Sequence, residues 1–257
     1  MIVPLAYKYV AIIVMLAEIN FCASRLHLPD NLPIKEQDIK AAAVSPPRVI
    51  GFAGRIDTGK YYFSFIESGR LRFIINRNDD RGNMTLREYL EGLSRIKSSM
   101  NTNDAYRIAT NWLVAMDVDV QRLEKDHPST TRQQSFMPWP SDGNTNTVIR
   151  VDSEGNILPA DGNTNREIPL PLFDVKWGDW AEPVIDVKIS GVTGELLKLR
   201  QEDDSYSKRP ASLIKDADKL LAIPDEEFLK YSPLERSNLV VRFAAVNYSE
   251  TNHLSLK

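Results

Sequence analysis

The string Gly54-Arg55-Ile56-Asp57-Thr58-Gly59-Lys60 has the glycine and lysine spacing of a phosphate-binding loop. Such a loop also needs a Ser or Thr after the lysine for magnesium, and a helix whose N-terminal amides face the phosphates. Here Tyr61 follows the lysine, and Tyr61-Tyr62-Phe63-Ser64-Phe65-Ile66 alternates like a strand. The string reads as a hairpin turn, and no nucleotide is expected. Metal chemistry also lacks its parts. His27, His127 and His253 stand far apart, with no pair at the helical spacing of zinc ligands. The loops Asp142-Gly-Asn-Thr-Asn146, Asp161-Gly-Asn-Thr-Asn165 and Asp152-Ser-Glu-Gly-Asn156 are rich in oxygen donors. They lack the alternating ligands and closing Glu of a calcium loop, so they read as solvated turns. No metal site and no cofactor is expected.

Nucleophilic catalysis fares no better. No Gly-x-Ser-x-Gly elbow occurs, and Asp126-His127-Pro128 reads as a helix terminus. No catalytic residue is assigned, although carboxylates brought together in space remain open to a hydrolase. The tryptophans are the remaining signal. Pro138-Trp139-Pro140 and Trp177-Gly178-Asp179-Trp180 put three of the four tryptophans in or beside loops. Loop indoles stack on sugars or anchor protein interfaces; they also cap the ends of cores. Trp139, Trp177, Asp179 and Trp180 are the candidate binding residues.

Composition bounds the fold that carries these residues. The chain has 257 residues, 32 basic against 35 acidic side chains, a net charge of −3, 42% apolar residues and one cysteine. That is the profile of a soluble globular protein, and it excludes disordered, collagen-like, disulfide-stapled and polytopic membrane classes. A slightly acidic balance also argues against a nucleic-acid partner. Residues 1–24 read as a secretory leader: Lys8, then the apolar run Tyr9–Ala17, then Cys22-Ala23-Ser24 as a small-residue cleavage site. The alternatives are a buried N-terminal helix or strand, and lipidation of Cys22. Cleavage after Ser24 would leave no cysteine and an unchanged net charge, because Lys8 and Glu18 leave together. The expected location is secreted, periplasmic or cell envelope, with membrane contact only through the leader or a lipidated Cys22.

Residues 25–48, broken by Pro29, Pro33, Pro46 and Pro47, read as a spacer with one helical turn at Ala41-Ala42-Ala43. Order is expected from Val49. Residues 49–76 form an antiparallel meander, with turns at Asp57–Lys60 and Glu67–Arg70. Thr85 and Glu88 make a capping box for one helix, and a second starts near Asn103 or Asp104. Residues 126–168 are poor in apolar side chains and hold a hairpin, Val148–Val151 with Ile157-Leu158. A second meander runs from 169 to 200. Helices are expected over 211–222 and from Ser232, whose box closes on Glu235. The fold class is α+β, with helices on antiparallel β-meanders. The domain covers 49–207, with possible half-units 49–125 and 126–207 and a helical segment at 208–257.

Pro183-Val-Ile-Asp-Val-Lys-Ile-Ser-Gly-Val-Thr-Gly-Glu-Leu-Leu197 resembles the end of a PepSY-type module, where a strand runs into a Thr-Gly-Glu turn. Asp104–Ala109 resembles the start of that module's helix. The resemblance covers about 20 residues of this sequence, and its helix and turn stand some 80 residues apart here. It implies a cystatin-like helix on an antiparallel sheet, exported or membrane-attached, that binds proteins or inhibits peptidases. The expected function is an exported, non-catalytic binding module for a protein or peptide ligand. The alternative is a secreted hydrolase or carbohydrate-binding accessory protein using the Trp139, Trp177 and Trp180 loops.

Overall fold

A computed structural model describes residues 3–26, 28, 34–45, 53–66, 68–77, 85–136, 150–151, 157–158, 167–210 and 213–245. The chain opens with helix α1 (Leu5–Leu26), followed by strands β1 (Ala41–Val44), β2 (Gly54–Asp57), β3 (Tyr61–Phe65) and β4 (Leu71–Asn76). Helices α2 (Leu86–Ser94), α3 (Thr102–Ala115) and α4 (Val120–Asp126) come next. Then follow β5 (Ser129–Phe136), the short hairpin β6 (Arg150–Val151) and β7 (Ile157–Leu158), β8 (Ile168–Gly178), β9 (Pro183–Ser190) and β10 (Leu196–Gln201). The C-terminal part holds β11 (Leu213–Ile214), α5 (Ala217–Leu221), α6 (Asp225–Phe228), α7 (Pro233–Phe243) and β12 (Ala244–Ala245).

Eight strands form one antiparallel sheet in the order β1-β2-β3-β4-β10-β9-β8-β5. The order has an internal logic. α1 followed by four strands is one helix-and-meander unit, and α3 followed by β5, β8, β9 and β10 is another. The last strands, β4 and β10, join the units edge to edge, with Ile74 opposite Leu199. The first group of elements covers 5–76 and the second 102–201. The two meanders read from the sequence are halves of a single sheet.

α1 supplies the helix of the first unit. The helix is 22 residues long and apolar enough to cross a membrane by length and composition, the kind of helix a signal sequence forms. In the fold it lies in the core. Tyr7, Val10, Ala11, Val14, Met15 and Ile19 have no solvent exposure. It also runs through the small-residue cluster to Leu26, so Cys22 is a buried helical residue. Burial, and then the neighbouring Glu18, push the Cys22 thiol well above its usual range. Asn20 ties the helix to the chain beyond it: its Oδ1 accepts from the Ile34 amide at 2.6 Å and its Nδ2 donates to the Ile34 carbonyl at 3.2 Å.

Several expectations shift. Ala41-Ala42-Ala43 is an edge strand rather than a helical turn, because pairing with Arg55–Asp57 gives its backbone a ladder. β5, Ser-Thr-Thr-Arg-Gln-Gln-Ser-Phe, lies in the stretch that lacked apolar residues. Leu213–Ile214 is a strand paired with Ala244–Ala245, and the helix expected over 211–222 shortens to Ala217–Leu221. Other expectations hold. The Thr85–Glu88 and Ser232–Glu235 capping boxes are formed. The turn at Asp57–Lys60 closes with the Thr58 amide on the Tyr61 carbonyl at 3.0 Å, and Gly59 takes the positive φ of +82° that the turn requires. Trp139, the paired Asp-Gly-Asn-Thr-Asn loops, His27 and His253 lie outside the described residues.

Candidate functional site

Alternation along the strands gives the sheet two different faces. On one, Phe63, Ile74, Leu199, Val187, Val175 and Trp177 are buried in the same core as α1 and α3. The other face carries the polar partners of those residues. Among the described residues, the helix that packs on it is α2, which seats Leu90 and Leu93 against Phe136, Leu170 and Leu172 at one end.

Strand register arranges this second face in two rows that cross most of the sheet. One row runs Arg132, Asp174, Lys188, Lys198, Ile75, Tyr62, Asp57, with each residue opposite the next. The adjacent row runs Lys176, Asp186, Arg200, Phe73, Ser64, Arg55. Adjacent strands lie about 4.8 Å apart, so side chains opposite one another in a row are neighbours. Lys198 Nζ donates to Asp186 Oδ2 at 2.7 Å and also sits 5.7 Å from the Phe73 ring. Glu202 accepts from both Arg72 and Arg200. Burial alone would raise the Glu202 carboxyl; the two guanidinium groups outweigh it and hold it below its usual value. Asp186 is only 5% exposed, and its Oδ1 has no hydrogen-bond partner among the described residues.

Trp180 stands at the β5 end of this face. Arg132 lies 4.3 Å and the Lys176 ammonium 4.1 Å from its ring, and Lys176 also donates to the Trp180 carbonyl at 3.0 Å. The indole is partly exposed, and it fixes the direction of two cations. Asp179, exposed, folds back on its own turn by accepting the Ala181 amide at 2.7 Å.

Trp177 corrects the expectation placed on it. Its ring has no exposed surface, so it cannot stack on a ligand. Its Nε1 donates to Glu124 Oε1 at 2.7 Å. Glu124 also accepts from Tyr106 Oη at 2.8 Å and from the Ser129 amide at 3.2 Å. Burial raises the Glu124 carboxyl, but the hydrogen bonds from Tyr106, Ser129 and Trp177 prevail and keep it low. Burial, and then the bond to Glu124, raise the Tyr106 phenol. This cluster pins α3 and α4 to β8, and a hydrolase or sugar-binding surface built on Trp177 loses its central ring.

Of the four candidate residues, the structure leaves Trp180 and Asp179 at the surface, buries Trp177, and does not describe Trp139. The charged rows were missed in the sequence. The signal was present in Phe173-Asp-Val-Lys-Trp177 and Ile185-Asp-Val-Lys-Ile189, where the polar residues alternate with apolar ones and therefore share one face. Compared with family models, curated proteins and solved structures, the chain matches none of them.

Proposed function

We propose that the chain is a non-catalytic binding module that takes a protein or peptide segment on the second face of its eight-stranded sheet. One observation carries the reading: the sheet buries one face under α1 and α3, while the other presents charged rows and the partly exposed Trp180. Interfaces draw their energy from a few aromatic and arginine anchors, and Arg132 beside Trp180 is such a pair. Peptides selected from a displayed random library against the full chain test it. Their affinity should fall about tenfold or more in Arg132→Ala/Trp180→Ala. It should hold in Val241→Ser, on the exposed face of α7. Equal affinity for the double variant and the parent sinks the reading.

Export belongs to the same proposal through α1 alone. The helix's length and apolarity support a leader, while its burial supports retention. The mass of the N-terminal peptide, taken from the protein in its native host, decides. A start after Ser24 fits a cleaved leader; a start at Met1 or Ile2 refutes cleavage.

A further inference from the structure

We infer that the partner of this face is an acidic segment of another protein, gripped by Arg132, Lys176 and Lys188; the inference rests on the binding reading above. Charge is segregated in this molecule. Among the described residues, the strands of the second face carry eight cations, completed by Arg72 and Arg77, against four carboxylates, Asp57, Asp174, Asp186 and Glu202. That surplus of four positive charges stands on a chain whose net charge is −3, which leaves −7 for the remainder. A cationic face on an acidic molecule selects an anionic partner by complementarity of potential.

The carboxylates on the face are already engaged. Asp57 pairs with Arg77 at 3.0 Å, Asp186 with Lys198, and Glu202 with two arginines. Asp174 accepts from the Gln134 amide at 2.6 Å. Three cations at the β5 end remain without a carboxylate among the described residues: Arg132, Lys176 and Lys188. Two of them are held against Trp180. Lys188 is placed directly opposite Lys198, a like-charge pair that weakens a sheet. Lys198 is neutralised diagonally by Asp186, whereas Lys188, between Asp174 and Lys198 in its row, forms no ion pair among the described residues.

The pattern favours a polypeptide over a nucleic acid. Asp174 and Asp186 sit one strand away from these cations in the same rows, where they would repel a continuous phosphate chain. A polypeptide also carries a backbone amide at every residue, a donor to this polar face that a phosphodiester backbone lacks.

Fluorescence anisotropy of the full chain with labelled oligoglutamate, a neutral glycine–serine peptide, oligolysine and oligouridine tests the inference. Oligoglutamate should bind, and weaken steeply between about 20 mM and about 200 mM sodium chloride. Arg132→Gln/Lys176→Gln/Lys188→Gln should lose about tenfold or more in affinity. Lys125→Gln, a control on α4, should not. Circular dichroism of the triple variant confirms that it is folded; should it not fold, Lys188→Gln alone carries the test with a smaller loss. Oligoglutamate binding that is unaffected in the variants overturns the inference. So does binding of oligouridine, or of the neutral or basic peptide, in preference to oligoglutamate. If library-selected peptides still depend on Arg132 and Trp180 while oligoglutamate fails to bind, only the acidic assignment falls. If neither class binds at this face, both readings fall.

Discussion

Arg209 grips Glu18 across 191 positions of sequence with two parallel hydrogen bonds, Nη1 to Oε2 at 2.8 Å and Nη2 to Oε1 at 2.7 Å. Glu18 is 1% exposed in the middle of α1, and its Oε1 also accepts the Leu71 amide at 3.5 Å. The guanidinium lies 3.9 Å from the Phe21 ring on the same helix. An acidic residue inside an apolar helix is costly unless paired, and a bidentate arginine is the geometry that pairs it best.

Removing Arg209 should therefore strand a buried carboxylate. Arg209→Met is expected to cost about 3 kcal/mol in urea unfolding, the lower end for a broken buried pair because the arginine keeps some solvent contact. Glu18→Met/Arg209→Met should recover most of that loss, since apolar side chains of similar volume replace both charges. A midpoint for Arg209→Met equal to that of the parent would mean that Glu18 is not buried in the folded protein.

Where α1 is retained in the mature protein, removal of residues 1–24 should be far more damaging. It deletes all but one of the buried residues of α1, which share a single core with Ile56, Phe63 and Ile74 of the sheet. Each large apolar side chain loses about 1.5–3 kcal/mol of burial, more in total than the stability of a typical domain. The truncated chain is expected to unfold without a cooperative transition and to be cut rapidly by trypsin. A cooperative transition close to that of the full chain would place α1 outside the core.

The sequence made part of this architecture legible and hid the rest for physical reasons. Strands β3, β4, β8 and β9 bury one face, so alternation announced them. β5 is an edge strand with Thr, Arg and Gln at alternate positions, and no apolar period marks it. α1 was ambiguous because an apolar helix with small residues near its end suits both a leader and a core; only Glu18 hinted at the core, and its partner lay far away in sequence. The candidate site was half visible. Trp177 and Trp180 look alike as residues, yet Gly178 and the turn after it send one ring into the core and leave the other beside Arg132. Pairing of β4 with β10, which completes the charged rows, joins strands some 120 residues apart and leaves no local mark.

Glu124→Ala should leave the Trp177 indole and the Tyr106 hydroxyl without their acceptor, at a cost of about 1–3 kcal/mol. The carboxyl's acidity adds a pH signature. Its folded value lies below its unfolded one, so the unfolded chain takes up the proton first as the solution is acidified. The stabilisation is complete above the unfolded value, near about 4.3, and fades as pH falls through the folded value. Urea midpoints of the parent and Glu124→Gln should therefore converge on acidification from neutral pH. A constant gap between them would show that Glu124 does not titrate with folding.

Gly54 tests the seat of α1 on the sheet directly. A Cβ at this position would stand 2.6 Å from Met15 Sδ, closer than carbon tolerates, and 3.0 Å from the Ala43 carbonyl oxygen, a tight contact. Gly54→Ala is expected to cost about 1–3 kcal/mol through overpacking. Met15→Ala alone should cost about 2–5 kcal/mol, because it opens a cavity under a fully buried side chain. The two losses are coupled: with Met15 shortened, the new methyl group enters the space that the thioether vacates. Gly54→Ala/Met15→Ala should therefore lose less than the sum of the single variants, by more than the roughly 0.5 kcal/mol scatter of independent sites. Part of the Gly54→Ala cost should persist, because the Ala43 carbonyl belongs to the paired strand and cannot step aside. Strict additivity in this cycle would separate Met15 from Gly54 and lift α1 off β2.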